Sequence, residues 1–309
     1  MYLGIDFLLN PALEPRVIEV NVGLPGGAEE YERTHLAYLH RPSDVFSRIE
    51  EISERVYRMP FKAYLESLPF IESLKILKLW MDGQGPFPAA LHPGLRLEDK
   101  WVQYQILSPL VPMPETTVFD PGKMKETGNF LERKGRLVLK RRLGRGGRHF
   151  RIVDDYSSLE SVSRDPNLFI LQEHIDSRID GFVFSIRSVA FGGEHVCLYA
   201  NLSQRTYSNH GILAYILGGN GPGLADREFK TVVFDQRSWE AKIWFGEAEP
   251  AYLHHNLYED EVAGTALVLP GRLLDTVRAM SVRIERFYDG LDLSSLPKAC
   301  FEENSPGTV

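Results

Sequence analysis

Cysteine is nearly absent: Cys197 and Cys300 are the two in 309 residues, too few for a disulfide scaffold or a cysteine-built zinc site. No apolar run approaches the roughly 18 residues that a membrane span needs. The opening MYLGIDFLLNP carries an acid where a secretory signal carries a basic region. There is no G-x-x-x-x-G-K-[ST] loop, no G-x-G-x-x-G turn, no HExxH and no G-x-S-x-G elbow. Basic charge is in deficit, with 35 Lys and Arg against 42 Asp and Glu and a formal net charge of −7. These absences predict a soluble, cytoplasmic protein with neither a membrane nor a nucleic-acid partner. What remains is ordinary globular material: 43% hydrophobic and 25% charged residues supply a core and exclude disordered, collagen-like and coiled-coil readings.

The pattern along the chain is mixed α and β. LGIDFLL and RVIEVNV, separated by Asn10-Pro11 and Glu14-Pro15, read as two strands of a hairpin. Phe46, Ile49, Ile52, Val56 and Tyr57 recur at helical spacing up to Pro60, and Ile71, Leu74, Leu77 and Trp80 mark another helix. The Gly and Pro residues between Gly83 and Gly94 suggest a linker and a boundary near residue 95. Lys100 to Leu107 reads as a helix, while 115–119, 136–140, 150–153, 168–173, 182–191 and 195–202 read as strands. Leu273, Leu274, Val277, Met280, Ile284 and Phe287 form one apolar helix face; residues 220–262 give no clear pattern, and FEENSPGTV reads as a loose tail.

Two features carry chemistry. Between Arg133 and Arg151 there are nine basic residues and no acidic one, whereas the rest of the chain has 26 basic against 42 acidic. Within that window the strand RLVLK runs into a loop with Gly144, Gly146 and Gly147, where backbone N–H groups can approach phosphate oxygens and Lys140 can add a point charge. A solvated basic hairpin tip would show the same composition. The second feature is the opening hairpin. Glu19 and Asn21 are two apart and share a strand face, and hairpin pairing brings Asp6 beside them. Two carboxylates and an amide oxygen suit magnesium bound with substrate phosphates, although the same alternation is common on half-buried hairpins.

Taken together, these residues resemble the ATP-grasp superfamily. GIDF followed by VIEVN resembles its metal-binding hairpin, with spacings of 13 and 15 from Asp6 similar to those of the D-alanine–D-alanine ligase branch. EDKWVQYQILSPLVPMPETTVF resembles the opening of the nucleotide domain, LVLKRRLGRGGRHFRIV its lysine strand and flexible loop, and LFILQEHID its interdomain hinge. The resemblance covers residues 1–27 and about 96–207. It implies ATP as cosubstrate and Mg2+ or Mn2+ as metal, held by Asp6, Glu19 and Asn21. It further implies Lys100, Lys140 and the loop glycines on phosphates, Glu173, His174 and Ile175 around adenine, and Asp180 on the ribose. Arg187 and Arg205 are then the contacts to phosphate or substrate. Gly4 stands where the D-alanine branch carries Arg, which counts against D-alanyl ligation.

The family's hairpin closes its domain, whereas here it opens the chain, and the helix at 273–288 resembles the one that normally precedes it. The sequence therefore reads as an α+β ATP-grasp fold, circularly permuted: a hairpin at 1–27 belonging to the C-terminal subdomain, a helical connector at 28–95 in place of a Rossmann-like domain, subdomains at 96–175 and 176–300, and a tail at 301–309. The implied activity is an ADP-forming ligase joining a small carboxylate to an amine, with a small-molecule kinase or a non-catalytic nucleotide-binding module as alternatives. A homo-oligomer is left open. Lys100, flanked by acids, reads as exposed; His149 and His210 fall near the expected phosphate contacts, and Cys197 sits in an apolar strand and reads as core.

Overall fold

The computed structural model describes residues 1–29, 31–32, 42–81, 84, 87–88, 90–145, 150–159, 168–179, 182–203, 212–218, 229–230, 234–245, 251–257, 266–267 and 271–303. The first elements are β1 (Leu3–Leu9), β2 (Pro15–Val22), α1 (Val45–Ile52), α2 (Phe61–Ser67), α3 (Ile71–Met81) and α4 (Lys100–Leu107). Next come β3 (Thr116–Val118), α5 (Met124–Lys134), β4 (Leu137–Arg141), β5 (Arg151–Val153) and β6 (Phe169–Glu173). The chain continues through β7 (Arg178–Ile179), β8 (Phe182–Phe191), β9 (Glu194–Ser203), β10 (Ile212–Gly218), β11 (Phe229–Lys230) and β12 (Phe234–Phe245). It ends with β13 (Ala251–Leu257), β14 (Ala266–Leu267), α6 (Gly271–Asp289) and α7 (Cys300–Glu303). This is a mixed α+β chain with antiparallel sheets. It divides into two compact units, Met1–Tyr64 with Asp176–Gly290, and Leu65–Ile175 with Leu291–Val309.

In the first unit the opening hairpin forms as its alternation predicts. Asn10 builds the turn by accepting from the Ala12 and Glu14 amides at 3.0 and 2.8 Å. Leu13 closes it at φ 59°, a left-handed conformation that costs a residue with a Cβ about 1–2 kcal/mol. The hairpin then joins a sheet of order β10-β9-β8-β1-β2, with β7 paired to β8. Gly192 and Gly193, at φ 58° and 79°, supply the two left-handed residues that the tight β8–β9 turn needs. A Cβ on Gly192 would lie 2.6 Å from Ile52.

Helix α6 covers one face of this sheet with Leu274, Val277 and Ile284 buried. Met280 and Phe287, expected on that face, are half-buried, and Ser281, Glu285 and Tyr288 are buried instead. The polar members are there for a reason: Ser281 Oγ lies 2.8 Å from Ser188 Oγ, and Glu285 accepts from Gly193 N at 2.7 Å. Along α1 the buried row is Val45, Ile49 and Ile52, an i, i+4, i+7 stripe. Phe46 and Val56, expected to share it, are 47% and 41% exposed. Phe46 belongs to the adjacent stripe, and Val56 lies within a π-helical turn, Ser53–Tyr57, whose wider winding shifts it off the α-helical stripe. The stretch that gave no pattern contributes strands to a second sheet, β13-β12-β11-β14.

The second unit holds a sheet of order β3-β6-β4-β5. Leu137, Leu139, Phe169 and Leu171 line one face and pack with Phe130 and Leu131 of α5. The other face carries Thr116, Val138, Lys140, Ile170 and Gln172 by register. Residue 95 lies inside this unit, because Leu95 and Leu97 are buried and His92 N donates to Ser73 Oγ at 3.1 Å, folding the expected linker back on α3. The expected loose tail is helical up to Glu303. Glu302 accepts from both Nε and Nη2 of Arg96 at 2.8 and 2.7 Å. Among the described residues no helix is long and apolar enough to cross a membrane.

Candidate functional site

In the first unit one row of side chains crosses four strands. Asp6 opposes Glu19 on β2 and Arg187 on β8, and Arg187 opposes Tyr199 on β9. Opposed residues of antiparallel strands share a face, and this face is the one opposite α6, since the neighbouring Ser188 meets Ser281. Asn21, two residues beyond Glu19, lies on the same face and is buried. The hairpin therefore brings Asp6, Glu19 and Asn21 together with Arg187.

The geometry of Arg187 was not legible in advance. Its Nε and Nη2 donate to the two Asp6 oxygens, the latter at 2.8 Å, and Nη1 donates to Pro25 O at 2.8 Å. Burial works to lower the guanidinium pKa, yet the Asp6 carboxylate holds it above its ordinary value. Gly4 makes the arrangement sterically feasible. A Cβ there would lie 2.5 Å from Pro25 Cβ and 3.0 Å from Arg187 Nη1, so the missing side chain at position 4 is the space that Pro25 and the guanidinium occupy. Among the described residues no group of three or more His, Cys, Asp and Glu could hold a metal by itself. The donor set at the row is two carboxylates and an amide, which are hard oxygen ligands.

In the second unit Lys140 Nζ donates to Gln172 Oε1 at 2.8 Å. Lys100 is buried rather than exposed: its ammonium donates to Gly144 O, and its backbone N donates to Arg142 O at 3.0 Å. The flanking acids do not draw it to solvent, because Glu98 pairs with Arg145 at 2.7 Å and Asp99 with Arg142 at 2.9 Å. Lys100 and Gly144 thus meet at the root of the glycine loop. Glu173 lies elsewhere. It opposes Leu137 while Lys140 opposes Ile170, which puts Glu173 on the other sheet face and about 10 Å along the strand. Its carboxylate accepts from Glu115 N at 3.2 Å and pairs with Lys134 at 3.1 Å. His174 N donates to Arg136 O at 3.3 Å, and Ile175 is half-buried beside it.

Among the described residues, five of the nine basic residues of the window are ion-paired within their own unit. Arg133 and Lys134 pair with Glu115, Arg136 with Asp154, Arg142 with Asp99 and Arg145 with Glu98. Each partner comes from outside the window, so charge counted along the chain overstated the local demand for anions. Lys100 also bonds Gly144 O and Lys140 also bonds Gln172 Oε1. Gly146, Gly147, Asp180 and Arg205, with His149 and His210, lie outside the described residues. Sequence reasoning passed over Gln172, Thr116 and Tyr199, which enter the site through strand register alone; Gly4 was visible as a departure from a pattern but not as a packing requirement.

No protein-family model and no curated protein matches the chain. Among solved structures it is similar to the ATP-grasp ligase PsnB complexed with a phosphomimetic variant of minimal precursor, Mg and ADP, at 12% identity over 75% of each chain and a TM-score of 0.28. PsnB complexed with minimal precursor gives 12% identity over 74% of this chain and 75% of that one, with a TM-score of 0.29. The PsnB complex with minimal precursor, Mg and ADP gives 13% identity over 76% and 74%, again at 0.29. At these scores the likeness is distant and adds nothing to the residue geometry.

Proposed function

We propose that this chain is an ATP-dependent, ADP-forming ligase that joins a carboxylate to an amine, built on a circularly permuted ATP-grasp fold and working in the cytoplasm. The observation that carries the reading is the row Glu19–Asp6–Arg187, which sets hard oxygen donors beside a guanidinium on one sheet face. The start of β1 also lies beside the end of α6, where Met1 N donates to Asp289 Oδ1 at 2.9 Å, the adjacency a permutation requires.

In this reading the γ-phosphoryl group of ATP passes to a carboxylate oxygen, and the bond to ADP breaks. The amine nitrogen then attacks the acyl carbon, inorganic phosphate leaves and the nitrogen loses a proton. Lys100, Lys140 and the backbone of Gly144, Gly146 and Gly147 bind phosphates and offset their charge. The backbone of His174 and Ile175 binds adenine, with Glu173 holding the segment through Lys134, and Asp180 binds the ribose. Glu19, Asn21 and Asp6 hold Mg2+ or Mn2+, which when bound neutralises phosphate oxygens. Arg187 and Arg205 bind the carboxylate or its acyl phosphate. Arg187 engages both Asp6 oxygens, so Asp6 would have to give up part of this pair to serve as a metal ligand.

The test is ADP release from the full chain with pools of carboxylates and amines. Release that needs both supports the ligase. Release with a hydroxyl acceptor alone points to a kinase, and no release with any pool points to a binding module. Glu19→Gln should abolish turnover and leave the melting temperature near wild type, since it removes one anionic donor without altering strand shape.

A further inference from the structure

We infer that Gln172 and Thr116 are positioning residues that fix the ammonium of Lys140, an inference that rests on the proposed nucleotide-binding role of that lysine. The three residues lie on adjacent strands of the second unit, on one face by register. Thr116 and Gln172 are 4% and 3% exposed, so their polar atoms must be satisfied by protein groups.

The direction of the hydrogen bonds follows from counting protons. Thr116 Oγ1 donates its single proton to Pro114 O at 2.9 Å, so toward Gln172 it can only accept. The Gln172 Nε2 group therefore faces Thr116, at 3.0 Å. That choice sets the amide orientation, and Oε1 is left pointing at Lys140 Nζ, 2.8 Å away. A flipped amide would set Nε2 against the ammonium, two donors facing one another. One threonine hydroxyl thus decides where a lysine two strands away is held. The lysine otherwise has about 2 kcal/mol of rotamer freedom to lose on contact with an anion, and a side chain already held in place loses less of it. Neither Gln172 nor Thr116 touches the nucleotide in this scheme; both act through Lys140.

The experiment is calorimetric binding of MgADP to the full chain in a double-mutant cycle. Thr116→Val, which keeps shape and removes the hydroxyl, and Gln172→Leu should each weaken binding roughly three- to tenfold, the equivalent of one ordinary hydrogen bond. Thr116→Ser should regain most of the affinity lost in Thr116→Val. In a Lys140→Ala background Thr116→Val should have no further effect, whereas a merely structural role would give the same loss in both backgrounds. If Lys140→Ala weakens binding and Thr116→Val does not, or if the two losses add, the positioning role is overturned and the nucleotide reading stands. If Lys140→Ala leaves MgADP affinity unchanged, the nucleotide reading itself fails, and the inference fails with it.

Discussion

Arg187 holds both carboxylate oxygens of Asp6 from the directly opposed position on the neighbouring strand. Each side chain is 18% exposed, so the pair is shielded more than a surface ion pair, and its bidentate geometry is the strong form of such a contact. A cation that uses Asp6 has to compete with this guanidinium.

Replacing Arg187 by Met should therefore strengthen binding of Mn2+ in the absence of nucleotide by about tenfold, the equivalent of one charge-assisted hydrogen bond of about 1.5 kcal/mol. Turnover should fall in the same variant. Titration followed by electron paramagnetic resonance reads the affinity directly; a value equal to wild type would remove Asp6 from the cation site.

Gly4→Ala tests the packing that lets Arg187 reach Asp6. The added Cβ would stand 2.5 Å from Pro25 Cβ, inside any normal contact, and a proline Cβ is tied to its backbone by the ring. Overpacking of this kind destabilises by about 1–3 kcal/mol, to be read from urea unfolding. A variant as stable as wild type would mean that the segment after β2 moves away at little cost.

How much of this was legible depended on the range of the interaction. The β1–β2 hairpin could be read because strand alternation and the Asn10 turn are local signals, and the same parity argument put Glu19 and Asn21 on one face. Helix α4 was equally local, with Asp99 accepting from Trp101 N and Val102 N at its start. The burial of Lys100 and the pairing of the basic window were not, since Arg142 and Arg145 find Asp99 and Glu98 more than forty residues earlier in the chain. Phe46 failed because a helical stripe has a neighbour one residue away, and the π turn that reorients Val56 has no signature in residue type. In the candidate site, parity along β2 could be read from residue spacing, while the contacts of Gln172 and Thr116 required strand register, which a sequence does not print.

Asp99 serves three segments of the second unit at once. It caps α4, pairs with Arg142, and accepts from Cys300 N at 2.9 Å. Both charged side chains are fully buried, at 0% and 1% exposure, and removing one member of a buried pair costs about 3–5 kcal/mol because the other charge is stranded. Asp99→Ala should lose at least that much in equilibrium unfolding. A loss below about 1 kcal/mol, the scale of a cap alone, would show that Arg142 finds another partner.

His195 predicts the acid limb of stability. The imidazole is buried on β9, and burial first, then the guanidinium charges of Arg278 on α6 and Arg48 on α1, push its pKa down from 6.5 to about 3. Above pH 6.5 the ring is neutral in both folded and unfolded chains, and the group adds no pH dependence. Below 6.5 the unfolded chain takes up a proton that the folded chain refuses, so stability falls as pH falls, with a limiting slope of about 1.4 kcal/mol per pH unit, until the folded ring titrates near pH 3. His195→Phe removes the titrating group while keeping a ring in the core. Urea unfolding between pH 7 and pH 4.5 should give a stability that drops more steeply for wild type than for the variant, the difference growing on the acid side and vanishing above pH 7. Parallel pH profiles for the two proteins would show that the ring is protonated as easily in the folded chain as in water, and that the two arginines do not govern it.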